Sequence, residues 1–250
     1  MDRQVRGIGT WLKLSLQCVV FVFMTTVFAV GCLGTGFFSK NTAQVICRTW
    51  AQLVLVFFGI RLSVTGRENL LPGKRYVFFS NHQSNLDTPV LFAGIGCPIC
   101  FIAKKELFLI PIFGWGMSAM GHVKIDRANA RKARESLTRG VRLLKRHRLS
   151  LVLFPEGTRS ATGALGEFRQ GSFTLAKEAG VEVVPVVLRK TGERLPKKSF
   201  LVKPGVVYLD ICSPIDIAGM EKADLAARVR KDIEAVIGQP ERQEGLDHSH

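Results

Sequence analysis

Acidic residues are scarce in this sequence. Only 20 aspartates and glutamates stand against 35 lysines and arginines, a formal net charge of +15 over 250 residues. Such a balance implies an anionic partner: nucleic acid, an anionic membrane surface or a phosphorylated substrate. No zinc-finger, RRM or basic-zipper pattern is present, so a nucleic-acid reading rests on net charge alone. Cysteines number six, which in a chain of this length is no disulfide framework. Cys97 and Cys100 form "CPIC", a spacing that suits thiolate exchange. No helix-forming stretch follows to lower a thiol pKa, and "PICFIA" reads as a buried strand, so a reducing compartment is expected. The histidines other than His82 (His122, His147, His248 and His250) form no ligand-spaced cluster with cysteine or acid, and no metal is expected. There is no internal repeat.

Charge is absent altogether from positions 14–38, a run of 25 residues bracketed by Lys13 and Lys40. That is long enough to span a bilayer. It is too long for a signal peptide, and its small-residue tail "GCLGTG" has no clear A-x-A site. A second apolar run, "TWAQLVLVFFGI" (49–60), is too short to span unaided. Positive charge on both sides of the first run gives no orientation. Two readings fit: a spanning helix followed by an interfacial one, or a helical hairpin dipping into one leaflet. Either makes residues 1–60 a membrane-associated helical anchor.

From about residue 61 the pattern becomes strand–helix alternation. "RYVFFS", "PICFIA", "LSLVLF", "VEVVPVVL" and "GVVYLDI" are continuous apolar runs, as expected for strands covered on both faces. Between them, residues 129–146 place Ala130, Ala133, Leu137, Val141 and Leu144 on one helical face. Residues 221–237 do the same with Leu225, Val229, Ile233 and Val236, and Gly238 stands at the C-cap. This predicts an α/β domain over 61–238, with a mixed, largely parallel sheet flanked by helices. The polar tail 239–250 is expected to be disordered.

The stretch "SNHQSNLDTP" (80–89) lies where a strand gives way to a helix. Ligands bind at such strand ends in open α/β sheets. Asp87 is near enough through the turn to accept the ring N–H of His82, which fixes the tautomer and leaves the other nitrogen as a base. Alternatively Asp87 is only a helix cap and His82 a turn residue. Three further loops after strands shift the balance. "FPEGTRS" (154–160) forms a tight turn with free backbone N–H groups and holds Arg159, whose fork suits a phosphate. "KIDR" supplies Arg127, and "AKKELFLIPIFG" supplies Lys104 and Lys105. Any one alone reads as surface charge; together with His82 they read as a site.

Four blocks in order make the sequence similar to the glycerolipid acyltransferase family, and within it to the bacterial 1-acylglycerol-3-phosphate acyltransferases. An N-H-x-x-x-x-D block is matched by Asn81, His82 and Asp87. A glycine-to-arginine block is matched from Gly121 to Ile125, Asp126 and Arg127. F-P-E-G-T-R-S is matched in full at 154–160, and V-x-P-V by Val183, Pro185 and Val186. The resemblance covers roughly residues 50–210. One departure is "FRQG" (168–171), where many members have F-K-x-G; arginine keeps the charge.

This resemblance implies transfer of a fatty acyl group from a thioester, acyl-CoA or acyl-carrier protein, to the sn-2 hydroxyl of 1-acyl-sn-glycerol 3-phosphate (lysophosphatidic acid). The product is phosphatidic acid. His82 is the implied base and Asp87 its orienter, with direct transfer and no acyl-enzyme. Glu156, Gly157, Thr158 and Arg159 are the implied phosphate-binding residues, with Lys104 and Arg127 as further candidates. No cofactor is implied beyond the acyl donor. The implied location is the cytoplasmic face of the bacterial inner membrane, in contact with membrane lipids. Phe108, Ile110, Ile112, Phe113 and Trp115 are candidates to line an acyl groove, or else ordinary core. The alternatives are another acceptor (lyso-ornithine lipid, other lysophospholipid or glycerol 3-phosphate) and a non-catalytic lipid-binding membrane protein.

Overall fold

Alternation along single strands assigns two faces to the sheet at the centre of this protein. Tyr76 and Phe78 turn to one face and Val77 and Phe79 to the other, all of them buried. A strand covered on both sides needs helices above and below, and the intervening segments supply them. The computed structural model describes residues 8–36, 38–126, 130–147, 149–160 and 162–239. In chain order its elements are α1 (Ile8–Gly36), α2 (Lys40–Phe57), β1 (Ile60–Thr65), β2 (Val77–Ser80) and α3 (Asp87–Gly94). There follow β3 (Ile99–Lys104), α4 (Phe113–Ala119), β4 (Val123–Ile125), α5 (Ala130–His147) and β5 (Ser150–Leu153). The chain ends with α6 (Gln170–Ala179), β6 (Val183–Arg189), α7 (Thr191–Arg194), β7 (Gly205–Ile211) and α8 (Lys222–Ile237).

The strand order is β1-β7-β6-β2-β5-β3-β4. Every neighbouring pair is parallel except β6 with β7. The expected mixed, largely parallel sheet is therefore present, and the five apolar runs read as strands are β2, β3, β5, β6 and β7. One face carries α2 and α3 through Ala43, Cys47, Ala51, Leu55, Val90 and Leu91. The other carries α5, α6 and α8 through Leu144, Phe173, Leu225, Val229 and Ile233. Phe79 and Phe173 stack across that second layer with centroids 4.5 Å apart and planes 4° from parallel. Burying a side chain of this size stabilises by roughly 1.5–3 kcal/mol. Cys100 of the "CPIC" run is fully buried in β3, and burial pushes its thiol up to about 12, so the strand reading of that run holds.

Helix α1 is long and apolar enough over Leu14–Gly36 to cross a membrane, by length and composition. Its C-terminal half is nevertheless pressed onto the protein. A Cβ on Gly36 would meet the Ala119 carbonyl oxygen at 2.8 Å, and one on Gly116 would meet the Ala29 carbonyl oxygen at 2.9 Å. Glycine at these positions lets α1 and α4 touch backbone to backbone. Trp50 Nε1 in α2 donates to Thr25 Oγ1 in α1 at 3.3 Å. Gln44 fastens α2 to the sheet, donating to the Ile99 carbonyl at 2.9 Å and accepting the Ile99 N–H at 3.1 Å. The run 49–60 is thus half packed: Ala51, Val54 and Leu55 are buried while Leu53 and Val56 are exposed.

Candidate active site

Strands β2, β5, β3 and β4 run the same way, so their C-terminal ends share one edge of the sheet. That edge collects the loop after β2 with His82, the loop after β5 with residues 154–160, the end of β3 with Lys104, and Asp126 after β4. Arg127 lies outside the described residues.

His82 and Asp87 meet as their spacing predicts. His82 Nδ1 is 2.6 Å from Asp87 Oδ2. The same oxygen accepts the backbone N–H of Gln83 at 2.8 Å and of Ser84 at 2.9 Å. Asp87 is fully buried as the first residue of α3, and it makes no capping bond into its own helix. Its carboxylate instead turns back into the loop and organises it. A fixed carboxylate on Nδ1 makes that nitrogen the donor and leaves Nε2 as the base. His82 keeps 20% of its side chain exposed, enough for a substrate to reach it. Its ring stacks on Phe154 with centroids 3.9 Å apart and planes 14° from parallel.

The loop after β5 is tied to the histidine loop from both sides. Ser160 N–H donates to the His82 carbonyl at 2.8 Å. Glu156 Oε1 accepts the His82 N–H at 3.0 Å, and Oε2 accepts the Gly166 N–H at 2.8 Å. Each oxygen of this buried carboxylate thus holds one backbone N–H, and Glu156 braces the two loops. Gly157 has φ +69°, and a Cβ there would meet Arg169 Nε at 2.6 Å. Thr158 is exposed and Arg159 half-buried; the Arg159 carbonyl accepts Lys197 Nζ at 2.7 Å. Lys104 is 62% exposed and 3.7 Å from Glu106. Its neighbour Lys105 pairs with Asp126 at 2.7 Å. Among the described residues, no three of histidine, cysteine, aspartate and glutamate come together as a metal-binding group.

Asn81 has a role that its motif does not disclose. Its buried amide donates to the Leu188 carbonyl and accepts the Leu188 N–H, both at 2.8 Å. The side chain so continues the β2–β6 ladder where β2 itself has ended.

The loop that carries His82 continues, through Asn85, Leu86, Thr88 and Pro89, into the wall of an apolar cavity of about 480 Å³. Phe92 of α3, Phe101 of β3, Met117 of α4 and His122 also line it. Phe21, Thr25, Phe28 and Ala29 of α1 close the opposite wall. Of the five residues read as groove candidates, only Phe113 lines it. Ile110 and Trp115 are exposed instead. His122 Nδ1 accepts the Phe101 N–H at 3.1 Å. Burial, helped by Lys40, lowers its pKa to about 4. The signal for the missed wall lay in α1, where Phe21, Thr25, Phe28, Ala29 and Cys32 recur at steps of three and four.

Known proteins are similar to this chain over much of its length. The chain is 41% identical over 180 residues to a chloroplastic 1-acyl-sn-glycerol-3-phosphate acyltransferase of Arabidopsis thaliana, covering 71% of this chain and 50% of that protein. It is 36% identical over 173 residues to the 1-acyl-sn-glycerol-3-phosphate acyltransferase of Pseudomonas aeruginosa, covering 69% and 66%. The chain thus spans between one half and two thirds of the length of these relatives. The crystal structure of the 1-acyl-sn-glycerophosphate (LPA) acyltransferase from Thermotoga maritima superposes with a TM-score of 0.78 at 25% identity, covering 92% of this chain and 99% of that one. The model of the Acyltransferase family matches residues 61–189, from β1 to the end of β6 with the His82–Asp87 pair and the 154–160 loop inside it, and this protein belongs to that family.

Proposed function

We propose that the protein transfers a fatty acyl group from a thioester, acyl-CoA or acyl-carrier protein, to the sn-2 hydroxyl of 1-acyl-sn-glycerol 3-phosphate, yielding phosphatidic acid. The observation that carries this reading is the His82 Nδ1–Asp87 Oδ2 contact of 2.6 Å, in a loop whose next residues, Asn85, Leu86, Thr88 and Pro89, line the apolar cavity. The names of the relatives supply the acceptor.

A hydroxyl is a weak nucleophile at neutral pH. His82 Nε2 takes its proton as the oxygen attacks the thioester carbonyl, and Asp87 stabilises the imidazolium that forms. Collapse of the tetrahedral intermediate breaks the carbon–sulfur bond, and His82 returns the proton to the leaving thiolate. Base catalysis of this kind contributes on the order of 10²–10⁴ in rate. Gly157, Thr158 and Arg159 hold the acceptor phosphate, with Lys104 and Arg127 as further ligands. Glu156 acts beside them by fixing the two loops. The apolar cavity takes an acyl chain; at about 480 Å³ it lies within the ordinary range for small-molecule sites.

Residues 1–60 serve as the anchor, 61–238 as the catalytic domain and 239–250 as a tail. The packing of α1 on α2 and α4 supports the hairpin in one leaflet over a free span. Exposed Leu109, Ile110, Trp115 and Phe200 support a body that rests on the bilayer. The excess of lysine and arginine suits the anionic cytoplasmic leaflet of a bacterial inner membrane.

The test is acyl transfer from a long-chain acyl-CoA or acyl-carrier protein to 1-acylglycerol 3-phosphate in detergent micelles, read by mass spectrometry. Wild type forms phosphatidic acid and folded His82→Ala forms almost none. Equal product from both proteins refutes the assignment of the base.

A further inference from the structure

The reading above uses the apolar cavity on one side of His82 and leaves a polar cavity on the other side without a role. This second cavity has a volume of about 590 Å³. It begins at Gln83, next to His82, and at Ser160, whose N–H holds the His82 carbonyl. From there it runs past Arg189 at the end of β6 to Tyr208 in β7. Neighbouring strands are about 4.8 Å apart, so the step from β2 across β6 to β7 is about 10 Å. The segment after α7 divides the two cavities: Leu195 and Phe200 face the apolar one, Pro196 and Lys197 the polar one.

The far end of the polar cavity is built for an anion. Arg189 and Lys190 line it with Glu193, while Lys197, bonded to the Arg159 carbonyl, stands nearer Ser160. Arg189 is 11% exposed, and its Nε donates to Asp210 Oδ2 at 3.0 Å. The other Asp210 oxygen accepts from Thr65 Oγ1 at 2.8 Å. Arg189 lies 5.0 Å and Lys190 Nζ 5.7 Å from the centre of the Tyr208 ring, which holds both cations over one platform. Arg189 Nη2 is buried and has no hydrogen-bond partner among the described residues. A buried charged donor without an acceptor is costly and uncommon, and a turn of the guanidinium into the cavity it lines would give it a phosphate oxygen.

We propose that this cavity binds the phosphopantetheine end of the thioester donor, with the phosphate on Arg189 and Lys190 and the thioester reaching back to His82. The inference rests on the acyl-transfer reading. Of the two reactants one is a lipid and one is water-soluble. The exposed apolar residues Leu109, Ile110, Trp115 and Phe200 mark the lipid side, and none of them lines the polar cavity. A polar cavity that runs from Gln83 beside the base to Arg189 and Lys190 at the end of β6 suits a donor whose thioester and phosphate sit at opposite ends of a flexible arm. Coenzyme A and acyl-carrier protein both present that arm.

The experiment is titration of the full-length protein in micelles with coenzyme A, with holo-carrier protein and with pantetheine, which lacks the phosphate. It compares wild type with Lys190→Asn, since asparagine tolerates the left-handed backbone at φ +67°, and with Arg189→Gln. Loss of one charge-assisted contact weakens coenzyme A or carrier-protein binding about tenfold or more. Pantetheine binding stays unchanged, and whichever of the two donors responds is the natural source. The proposal is overturned if wild type binds neither, if Lys190→Asn binds as wild type does, or if pantetheine is affected equally. Where transfer is measured, it is also overturned if the variants raise KM for the lipid acceptor in place of the donor. Because binding is read without turnover, a wild type that binds coenzyme A but acylates no lysophosphatidic acid removes the acceptor assignment and leaves the cavity assignment standing.

Discussion

Glu156→Gln separates a brace from a ligand. In the folded protein the two carboxylate oxygens accept one N–H each, from His82 at 3.0 Å and Gly166 at 2.8 Å. Glutamine has a single oxygen, so one of the two N–H groups loses its acceptor and faces an amide NH2. A hydrogen bond to a charged group contributes about 1.5–3 kcal/mol. For a domain of this size that lowers Tm by roughly 3–12 °C, at about 2–4 °C per kcal/mol. His82 is also released from its tether, and a base misplaced by about 1 Å loses on the order of 10²-fold in rate. The expected result is therefore a lower Tm and a kcat reduced by about 10–100-fold, with KM for lysophosphatidic acid within about twofold of wild type. Thermal unfolding in micelles and steady-state kinetics read these separately. A variant with unchanged Tm and a lowered KM for the acceptor would refute the reasoning, because it would mean that the carboxylate faces the phosphate and repels it.

Three further outcomes follow from the same geometry. Asp87→Asn keeps an oxygen for the Gln83 and Ser84 N–H groups but removes the charge beside His82, so kcat falls on the order of 10²–10⁴-fold while circular dichroism shows a retained fold; a loss below tenfold sinks the pairing. Asn81→Ala strips the buried Leu188 N–H and carbonyl of their partners at about 1–3 kcal/mol each, which a drop in Tm of several degrees would report. His122 stays neutral in the fold down to about pH 4, whereas a histidine ordinarily takes up its proton near 6.5. The unfolded chain thus takes up a proton that the folded chain refuses, and stability drops as pH falls from 6.5 towards 4. Acid unfolding of His122→Asn, which keeps an acceptor for the Phe101 N–H, is expected to lack this part of the slope.

What the chain disclosed in advance was the part whose physics is local. β2, β3, β5, β6 and β7 are legible because strands buried on both faces need unbroken apolar runs. The His82–Asp87 pair is legible because a five-residue turn at a strand end cannot hold the two far apart. β1 went unread because Ile60 closes an apolar run belonging to α2, and its Arg61 and Ser63 look like the start of a loop. β4 is only three residues long, too short for any periodicity. Glu156 was legible as a motif member but not as a brace, since its partners are backbone N–H groups that the sequence does not spell. A carboxylate beside an anionic phosphate has the wrong sign, and that was the available clue. The acyl wall was sought in the 108–115 segment because it is apolar and near Lys104. It is found in α1, because only tertiary packing brings residues 21–29 over β3 and α4.

That wall has a consequence for how the protein can be handled. The cavity's wall is shared between the α/β body and a helix suited to the bilayer. Removing α1 would open the apolar cavity to water, and with it any fatty chain that the proposed reaction places there. Nor can a foreign anchor replace α1, since Gly116 and Ala29 meet backbone to backbone where the two halves join. Under the proposed reaction, a lipid mixture that tilted α1 against α4 would change the volume open to the chain.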